Sequence, residues 1–433
     1  MRILFFAVGD FKEGNGANSR FVCYGKGLKK RNVPNKFYFI LPSEFNDNGI
    51  NTVSEGNHEG VDFEYLSKTT KRRKSLIGRL FVLINSWRSA LKLISTLDKK
   101  NDLLYFYGPQ ALILGPIILA AKLRGFATVV ENTEFQTIRN EGSNWLVKQL
   151  NRAVSAFFEY RLHHVADKVI VISKRLLRLY RRRFPDTDVH LVPIVVDPDR
   201  FKDVSTKKPS FMMGYLGSFG EKDGVPGIIQ AFQSARKSFP HLRLRLIGYQ
   251  IRSAGLSKAL EKYSLRPDDP NLEITGQVKS SDIPGLLAEC DLLLLNRINT
   301  PYANYGFATK LGEYMATGRP VISTDISDVS FYLKDREHIR VISPNKAEVL
   351  AEAIVERYNN YEEYDKMGQN GKEKAIELFA YQRHVDHIIS VCGDALGIEH
   401  KKVDSNQEID FLLGERPGSN RRPLDPQTSA LTN

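Results

Sequence analysis

Short runs of apolar and β-branched residues recur along the chain and alternate with longer amphipathic stretches. In the first half these runs cover residues 3–8, 37–41, 103–106, 128–130, 169–172 and 191–195. In the second half they cover residues 211–216, 242–247, 272–275, 292–295, 321–323 and 340–342. Strands that are apolar throughout are typical of parallel sheets buried on both faces, and strands that alternate with helices indicate βαβ units. The pattern therefore predicts an α/β protein with two Rossmann-like domains that face each other across a cleft.

The two series of strands also predict the domain boundaries. We expect an N-terminal domain over 1–196, a linker over 197–209 and a C-terminal domain over 210–380. A helix at 381–397 is expected to return to the first domain. Residues 398–433 are polar and contain an Arg- and Pro-rich stretch at 416–426 that cannot bury a core, so they predict a disordered tail. Ligands of open parallel sheets bind beyond the carboxyl ends of the strands, which places the expected site in the cleft.

Two apolar segments bear on the cellular compartment. The N-terminal apolar run stops at Gly9-Asp10 without a small-residue cleavage site, so it predicts a first strand and not a secretory signal. Residues 103–121 carry no charge, but two Gly-Pro pairs interrupt them and favour a strand followed by a helix at 110–123. Three widely spaced cysteines form no CxxC pair, which favours a reducing compartment. We expect a cytoplasmic protein.

The charge of the chain is concentrated in one half. The net charge is +12, with 42% hydrophobic and 26% charged residues. Residues 1–195 contain 31 Lys and Arg against 17 Asp and Glu, whereas residues 196–433 contain 31 against 33. A basic half is typical of proteins that contact phosphate-bearing partners, either anionic lipid headgroups or nucleic acid. Aromatic residues are not interleaved with the basic ones on a recognisable surface, so we expect no nucleic-acid partner. A solubility bias without a partner is the alternative.

The most informative motif begins at Tyr305 and runs Tyr-Gly-Phe-Ala-Thr-Lys-Leu-Gly-Glu. Thr309 is expected to cap a short helix over 310–317, so that the backbone amides before Lys310 point at a phosphate group. Lys310 and Glu313 share one helical face. Lys310 then suits the phosphates of a nucleoside diphosphate, and Glu313 suits two ribose hydroxyls. The donor-binding positions of this motif are Tyr305, Gly306, Phe307, Ala308 and Thr309. An ordinary capped helix with a surface Glu–Lys pair is the alternative.

A glycine-containing loop follows the first strand of the second half. It runs from Gly214 to Val225 and lets the backbone approach a ligand closely. We expect Gly217 and Ser218 to contact the donor. The loop does not match GxGxxG, so taken alone it is a weak phosphate-binding signal.

The order of these motifs resembles the nucleotide-sugar domain of retaining, GT-B-fold glycosyltransferases of family 4. The segments that carry the resemblance are 214–224, 276–278, 291–295 and 310–322, with 14–16, 166–173 and 192–197 in the first half. Membership implies sugar transfer from a nucleotide-activated donor with retention of anomeric configuration, usually without a metal. It also implies that Gly14 and Gly16 face the acceptor, and that the base is recognised near Gln277 and Val278.

The chain departs from the family pattern at several positions. Tyr305 stands where the family has the first of two glutamates, so donor-sugar contacts must come from elsewhere. Ser218 and Asp223 fall near the positions of the family's Arg and Lys on the loop. The leaving diphosphate still needs cations because its charge grows in the transition state, and the candidates are Lys222, Arg297 and Lys310.

A histidine common in the family after the fourth or fifth strand is also missing. Glu131 and Glu134 occupy that region. Either of them faces the cleft or caps the following segment.

Two other features suggest metal binding but are interpreted otherwise. Asp197-Pro-Asp199 resembles a DxD motif, yet it falls in the linker pattern of a two-Rossmann chain. His163-His164 has no carboxylate or cysteine at ligand spacing and is interpreted as a packing or surface pair. We therefore expect no metal and no cofactor, with the nucleotide-sugar acting as substrate.

Residues 71–74 are Lys-Arg-Arg-Lys and precede an apolar stretch at 76–94 that contains Trp87 and the basic residues Arg79, Arg88 and Lys92. Such a stretch is typical of a helix at a membrane surface. A second basic cluster lies at 174–183. These features predict peripheral binding to the anionic inner face of the cell membrane. A core helix with a solvated basic collar is the alternative.

The sequence therefore favours a retaining glycosyltransferase that uses a nucleotide-sugar donor and a glycan or lipid-linked acceptor in surface polysaccharide or glycoconjugate biosynthesis. A non-catalytic nucleotide-binding relative is one alternative, because Tyr305 and Ser218 depart from the family pattern. Another GT-B enzyme, such as a sugar-nucleotide epimerase, is a second.

Overall fold

The computed structural model describes residues 1–9, 11, 16–42, 52–108, 110–134, 165–202, 204, 211–217, 219–248 and 254–398 of the 433. The strands of the first half are β1 (Arg2–Ala7), β2 (Asn35–Phe39), β3 (Glu55–His58), β4 (Val61–Tyr65), β5 (Asp102–Tyr107), β6 (Thr128–Asn132), β7 (Lys168–Val171) and β8 (Val189–Leu191). They form one sheet in the order β3-β4-β2-β1-β5-β6-β7-β8. All neighbours are parallel except the β3–β4 pair at the edge. Every residue of β5 and β6 is buried, as expected for strands covered on both faces.

Helices connect these strands. They are α1 (Gly16–Lys30), α2 (Leu76–Ile94), α3 (Ala111–Leu123) and α4 (Lys174–Arg183). Serine side chains cap two of them, because Ser75 accepts from the Gly78 amide and Ser173 accepts from the Leu176 amide. Each cap satisfies one of the amides that the first turn of a helix leaves unpaired.

The second half contains the strands β9 (Met212–Leu216), β10 (Arg243–Ile247), β11 (Leu272–Gly276), β12 (Leu292–Leu295), β13 (Val321–Thr324) and β14 (Arg340–Ile342). They form a parallel sheet in the order β11-β10-β9-β12-β13-β14. The chain thus starts in the middle of the sheet, builds outward in one direction and then reverses between β9 and β12. In doubly wound sheets this switch point is where ligands bind.

The helices of the second half are α5 (Val225–Arg236), α6 (Ala254–Lys262), α7 (Ile283–Ala288), α8 (Pro301–Tyr305), α9 (Lys310–Ala316), α10 (Val329–Tyr332), α11 (Ala347–Asn359), α12 (Tyr361–Phe379) and α13 (Tyr381–Ala395). Two 3-10 turns, Pro198–Phe201 and Glu221–Asp223, precede and follow β9. The core of this half is formed by apolar residues of β9, β10, β12, α5 and α11.

The last helix, α13, lies against the first sheet and not the second. Val196 donates its amide to Phe379 O at 2.8 Å, and Tyr381 donates to Val196 O at 3.0 Å, which bridges the chain back to the first half. Tyr381, Val385, Ile388, Val391 and Cys392 then join the core that contains Phe5 and Val129. Gly27 of α1 makes this close approach possible, because a Cβ there would lie 2.2 Å from Val385 Cγ2.

The predicted α/β class is confirmed, and each predicted apolar run contains at least part of a strand. The β3–β4 hairpin was not predicted, although β4 alternates apolar and polar residues and buries every second one. The predicted strand at 191–195 is wrong beyond Leu191. Pro193 has no amide with which to continue the ladder.

The predicted strand and helix in residues 103–121 are present as β5 and α3, but Gly115-Pro116 does not interrupt the helix, since Pro116 lies inside α3. Among the helices of the described segments, none combines the length and apolar content that crossing a bilayer requires. The predicted tail from 399 onward, and His163-His164, lie outside the described residues.

Candidate functional site

The candidate site lies at the switch point of the second sheet, where the carboxyl ends of β9 and β12 are adjacent. The chain leaves β9 through Gly217 and turns into α5 at Gly224, which adopts a left-handed φ of 59°. Asn296, directly after β12, donates to Gly224 O at 2.9 Å and holds this loop against the end of β12. A Cβ at Gly224 would lie 2.1 Å from Asn296 O, so only glycine allows the contact.

Lys310, the first residue of α9, extends its side chain into this switch point. Its Nζ lies 2.9 Å from Asp223 Oδ1 and 3.1 Å from Tyr215 Oη. Burial lowers the pKa of Lys310 below its ordinary value, while the Asp223 carboxylate opposes that change. Burial in turn raises the pKa of Asp223, but the Lys310 ammonium outweighs it and the pKa lies below the usual range.

The Lys310–Asp223 pair accounts for one departure from the family pattern. Asp223 falls near the loop position where the resemblance expects a lysine. The ammonium of Lys310 lies within hydrogen-bond distance of that residue, so a cation is present at this place but comes from α9.

Gly217 leaves room next to the ammonium. A Cβ at this position would lie 2.5 Å from Lys310 Nζ and 2.2 Å from Tyr215 Oη. Any side chain at 217 would therefore displace Lys310, and a glycine keeps the approach to its charge open.

Glu313 lies one turn further along α9 and is buried at the junction with the first half. Its Oε1 accepts a hydrogen bond from Ser19 Oγ of α1 at 3.1 Å and lies 3.4 Å from Arg200 Nη1. Arg200 also donates to Ser280 O at 2.6 Å, so it links the 3-10 turn at Pro198–Phe201, within the predicted linker, to the loop that follows β11. The carboxylate is thus held by groups from two separate elements, α1 and the 3-10 turn.

Lys222 does not point at Lys310 but pairs with the first half. Its Nζ lies 2.5 Å from Glu134 Oε1 and 3.2 Å from Tyr302 Oη, and Tyr302 also donates to Glu134. Burial raises the pKa of Glu134, but Lys222 and Tyr302 outweigh it and the pKa lies below its usual value.

Arg297, the third candidate cation, is buried and donates to Gly306 O at 3.2 Å. Burial lowers the pKa of Arg297, which Asp223 and Glu134 oppose.

The segment between α8 and α9 differs from its predicted geometry in two respects. Thr309 does not cap α9, because it is itself helical, with φ −55° and ψ −35°, and its side chain makes no capping hydrogen bond. The Phe307 ring is buried and stacks on Tyr332 with centroids 5.5 Å apart, so only its backbone is available to a donor.

The neighbours of Phe307 stay close to the first half. Tyr305 O accepts a hydrogen bond from Ser173 Oγ at 2.6 Å. A Cβ at Gly306 would lie 3.3 Å from Thr133 O, so this segment runs directly beside the end of β6. Ala308 and Thr309 are half-buried.

Glu131 was expected to face the cleft or to cap the following segment, and it does neither of these. It is fully buried in β6, where its carboxylate lies 2.6 Å from Arg20 Nη2 and accepts from Tyr24 and Tyr105. Burial lowers the pKa of Arg20, but Glu131 outweighs it and the pKa lies above its usual value. Arg20 also donates to Pro193 O and Val192 O. Glu131 therefore serves the core of the first half.

The remaining predicted positions are placed as follows. Gln277 and Val278 follow β11, after Gly276 with its φ of 68°, and are half-buried at the same edge of the sheet as Gly217. Gly16 begins α1. Gly14 and Ser218 lie outside the described residues.

Other groups of the protein contact both carboxylates of the Asp197-Pro-Asp199 motif. Asp197 accepts from the Asp199 amide at 3.2 Å and lies 3.2 Å from Lys26 Nζ, and Asp199 pairs with Lys202. Within the part of the chain that the structure describes, no group of three or more His, Cys, Asp or Glu residues is arranged to hold a metal ion.

Sequence reasoning missed Ser19, Arg200, Tyr215 and Tyr302. Ser19, Arg200 and Tyr215 reach the site from elements distant in sequence from the motif at 305–313, so no local spacing indicates them. Tyr302 lies in α8, directly before the motif. Tyr215 falls inside the predicted loop at 214–225, but it was not singled out there, and the structure places it in β9.

Comparison with known proteins identifies the domain in which the switch point lies. Residues 197–374 match the family model described as glycosyl transferases group 1. The second half carries a glycosyl transferases group 1 domain. This domain contains Lys310, Glu313, Lys222 and Asp223, while Glu134 and Ser19 come from the residues before it.

Two curated relatives agree with this group 1 domain. An uncharacterised glycosyltransferase of Methanocaldococcus jannaschii is 25% identical over 233 residues, 54% of this chain and 61% of the relative. The O-antigen chain mannosyltransferase C of Escherichia coli is 31% identical over 178 residues, 41% of this chain and 45% of the relative. The matches thus span between about half and three fifths of the relatives' length.

The fold extends the likeness beyond the group 1 domain. The Anabaena protein HepE, solved in complex with UDP, superimposes with a TM-score of 0.64 at 15% identity and covers 91% of this chain and 100% of its own. Structural neighbours of this kind are GT-B glycosyltransferases, and the present chain has the GT-B fold.

Proposed function

We propose that the chain transfers a sugar from a nucleoside-diphosphate sugar to a glycan or lipid-linked acceptor, with retention of anomeric configuration. The observation that carries this proposal is the Lys310 ammonium, which Asp223 and Tyr215 fix beside Gly217 at the switch point of a group 1 domain. A fixed cation at this place suits the charge that develops on a leaving diphosphate.

The donor site is proposed to extend from Lys310 toward Glu313. Glu313 is a hydrogen-bond acceptor held by Ser19 and Arg200, and in the complex we expect its carboxylate to accept from the ribose hydroxyls of the donor. Gln277 and Val278 lie at the same sheet edge, where backbone groups can contact a base. Relatives of the same fold include HepE, which was solved with UDP, so a uracil-containing donor is the first to test.

The stereochemistry is proposed from the motif, and the acceptor is proposed from one of the relatives. Retention follows from the resemblance of the motif at 305–322 to family 4. The similarity to an O-antigen chain mannosyltransferase favours a glycan acceptor of surface polysaccharide synthesis.

Charge neutralisation of the diphosphate is proposed to come from side chains and not from a metal. Lys310, Lys222 and Arg297 supply three cationic groups around the switch point, although Lys222 pairs with Glu134 in the free protein. A resident cofactor has no part in the proposed reaction, in which the nucleotide-sugar is the substrate.

The first experiment is calorimetric titration of the full chain with UDP, GDP, ADP and CMP. We expect one diphosphate to bind, and we expect Glu313→Ala and Lys310→Ala each to weaken that binding at least about 10-fold, the loss of one or two charge-assisted hydrogen bonds. Glu362→Ala on the exposed start of α12 is the matched control and should bind like wild type. Binding of no nucleotide would overturn the donor site.

A second measurement separates the remaining alternatives. With the sugar nucleotide of the preferred base, a transferase releases the free diphosphate in the presence of acceptor, and the anomeric proton signal of the product reports retention. A non-catalytic relative binds without turnover. An epimerase changes the sugar while the diphosphate bond stays intact.

A further inference from the structure

The first part of α2, residues 76–85, is exposed or half-buried throughout. The buried residues of this helix, Ser86, Ala90 and Ile94, all lie in its second part. The second part is anchored to α3, because Trp87 Nε1 donates to Ile113 O at 2.8 Å. Trp87 is thus engaged with the protein, and the exposed part of α2 is its N-terminal part.

This exposed part carries a continuous apolar surface, which we name the α2 apolar face. Its members are Leu76, Ile77, Leu80, Phe81 and Ile84. Their spacing of three to four residues, with adjacent pairs, places them on one side of a helix. Leu76 is 78% exposed, Ile77 84% and Phe81 65%. Five of the twelve exposed large hydrophobic side chains of the described residues lie on this face, so the exposure is concentrated and not scattered.

A run of positive charge adjoins the α2 apolar face. Residues 71–74, the basic segment, are all exposed and directly precede the helix. Arg79 donates to Arg73 O at 2.9 Å and to Lys74 O at 3.0 Å, which fixes the basic segment against the first turn. Further along the exposed side, Arg88 and Lys92 follow Ile84 at intervals of four residues. Between Glu64 and Asp98 the sequence contains no acidic residue.

We propose that the α2 apolar face and the basic segment dock onto an anionic lipid bilayer, with the apolar side chains inserted among the acyl chains and the basic side chains on the headgroups. A helix with an apolar side and a basic border suits this interface. A second copy of the chain suits it poorly, because two such surfaces would bring like charges together without an acidic residue to pair them. This docking is independent of the proposed transfer reaction.

The test is co-sedimentation of the full chain with vesicles of phosphatidylcholine and phosphatidylglycerol in equal amounts, and with vesicles of phosphatidylcholine alone. We expect binding to the anionic vesicles and its loss at ~1 M salt, where the Debye length falls to about 3 Å. Ile77→Ser/Phe81→Ser should weaken partitioning at least about 100-fold, because two large side chains no longer enter the bilayer. Arg73→Glu/Lys74→Glu should weaken it at least about 25-fold, roughly fivefold for each charge.

Matched controls lie in the second half. Ile376→Ser and Lys237→Glu/Lys366→Glu change exposed residues of the same types and should bind like wild type. Because none of the substituted α2 residues is buried, thermal unfolding should be unchanged in all variants, which separates docking from folding. Wild type that stays in the supernatant with anionic vesicles, or variants that bind as wild type does, would overturn the proposal. So would a dimer in solution that Ile77→Ser/Phe81→Ser dissociates, since the occupant would then be a second copy.

Discussion

Glu134 Oε1 and Lys222 Nζ lie 2.5 Å apart and join the two halves of the protein across the candidate site. Glu134 follows the end of β6 and Lys222 belongs to the turn after β9, so this ion pair exists only because the two sheets meet here. In the free protein Glu134 neutralises the charge of Lys222, which would otherwise be available to a diphosphate. Under the proposed function, a bound donor would therefore compete with Glu134 for Lys222.

Glu134→Gln should strengthen the binding of the preferred nucleoside diphosphate. The substitution removes the competing charge and leaves Lys222 available, and since both side chains are partly exposed we expect a gain of about two- to fivefold in affinity. Calorimetry measures it, with Lys222→Ala expected to move affinity the opposite way. Equal affinities for wild type and Glu134→Gln would show that the pair does not oppose binding.

Gly217→Ala should weaken diphosphate binding about 10-fold or more, because the new Cβ would lie 2.5 Å from Lys310 Nζ and displace it. Gly285→Ala is the control, since a Cβ there meets nothing within 4 Å. The comparison uses dissociation constants from the same titration. Unchanged affinity in Gly217→Ala would mean that the position of the Lys310 ammonium does not matter for the nucleotide.

Glu131→Gln should destabilise the protein while leaving nucleotide affinity unchanged. Arg20 and Glu131 are both completely buried, and removing one charge of such a pair costs about 3–5 kcal/mol in the free energy of unfolding. Urea unfolding measures the loss. Glu64→Gln, at a partly exposed pair with Lys36, should cost less than about 1 kcal/mol. A stable Glu131→Gln protein that fails to bind nucleotide would instead support the expectation that Glu131 faces the cleft.

Asp328 should give the stability of the protein a characteristic pH dependence. Burial raises its pKa to about 6, although the Lys174 amide, which donates to Oδ2 at 2.6 Å, acts in the opposite direction. Between about pH 4 and 6 the folded state therefore holds a proton that the unfolded state has released, and the free energy of unfolding falls as pH rises through this window. The fall attributable to Asp328 is roughly 3 kcal/mol.

Asp328→Asn removes this contribution while keeping an oxygen that accepts from Lys174. Urea unfolding of both proteins at several pH values gives the difference between them, in which the other titrating groups cancel. We expect the free energy of unfolding of wild type to fall relative to that of Asp328→Asn as pH rises from 4.5 to 7, measured at intervals of about one pH unit. Parallel profiles would contradict the assignment.

The sequence predicts the two sheets better than it predicts the site. The buried parallel strand β12 is apolar throughout, and β5 carries no charge after Asp102, so local composition identifies them. Lys310 and Glu313 were found because they belong to one short motif. Glu131 was misplaced because a carboxylate at the end of a strand gives no sign of a buried arginine 111 positions earlier. Asp223 was interpreted as the loss of a cation that the family has on this loop. In the structure Lys310 lies next to Asp223 and supplies a cation there.

The return of α13 to the first sheet affects the order in which the protein assembles on the ribosome. Tyr381, Val385 and Ile388 complete the core of the first half, yet they are synthesised after the whole second half. N-terminal domains generally fold while the rest of the chain is still being made. Here residues 1–196 emerge with one side of α1 uncovered, and that side stays open until almost the entire described chain has been translated. An early-released fragment of the first half is therefore expected to expose apolar surface, and chaperones rather than its own core would have to protect it.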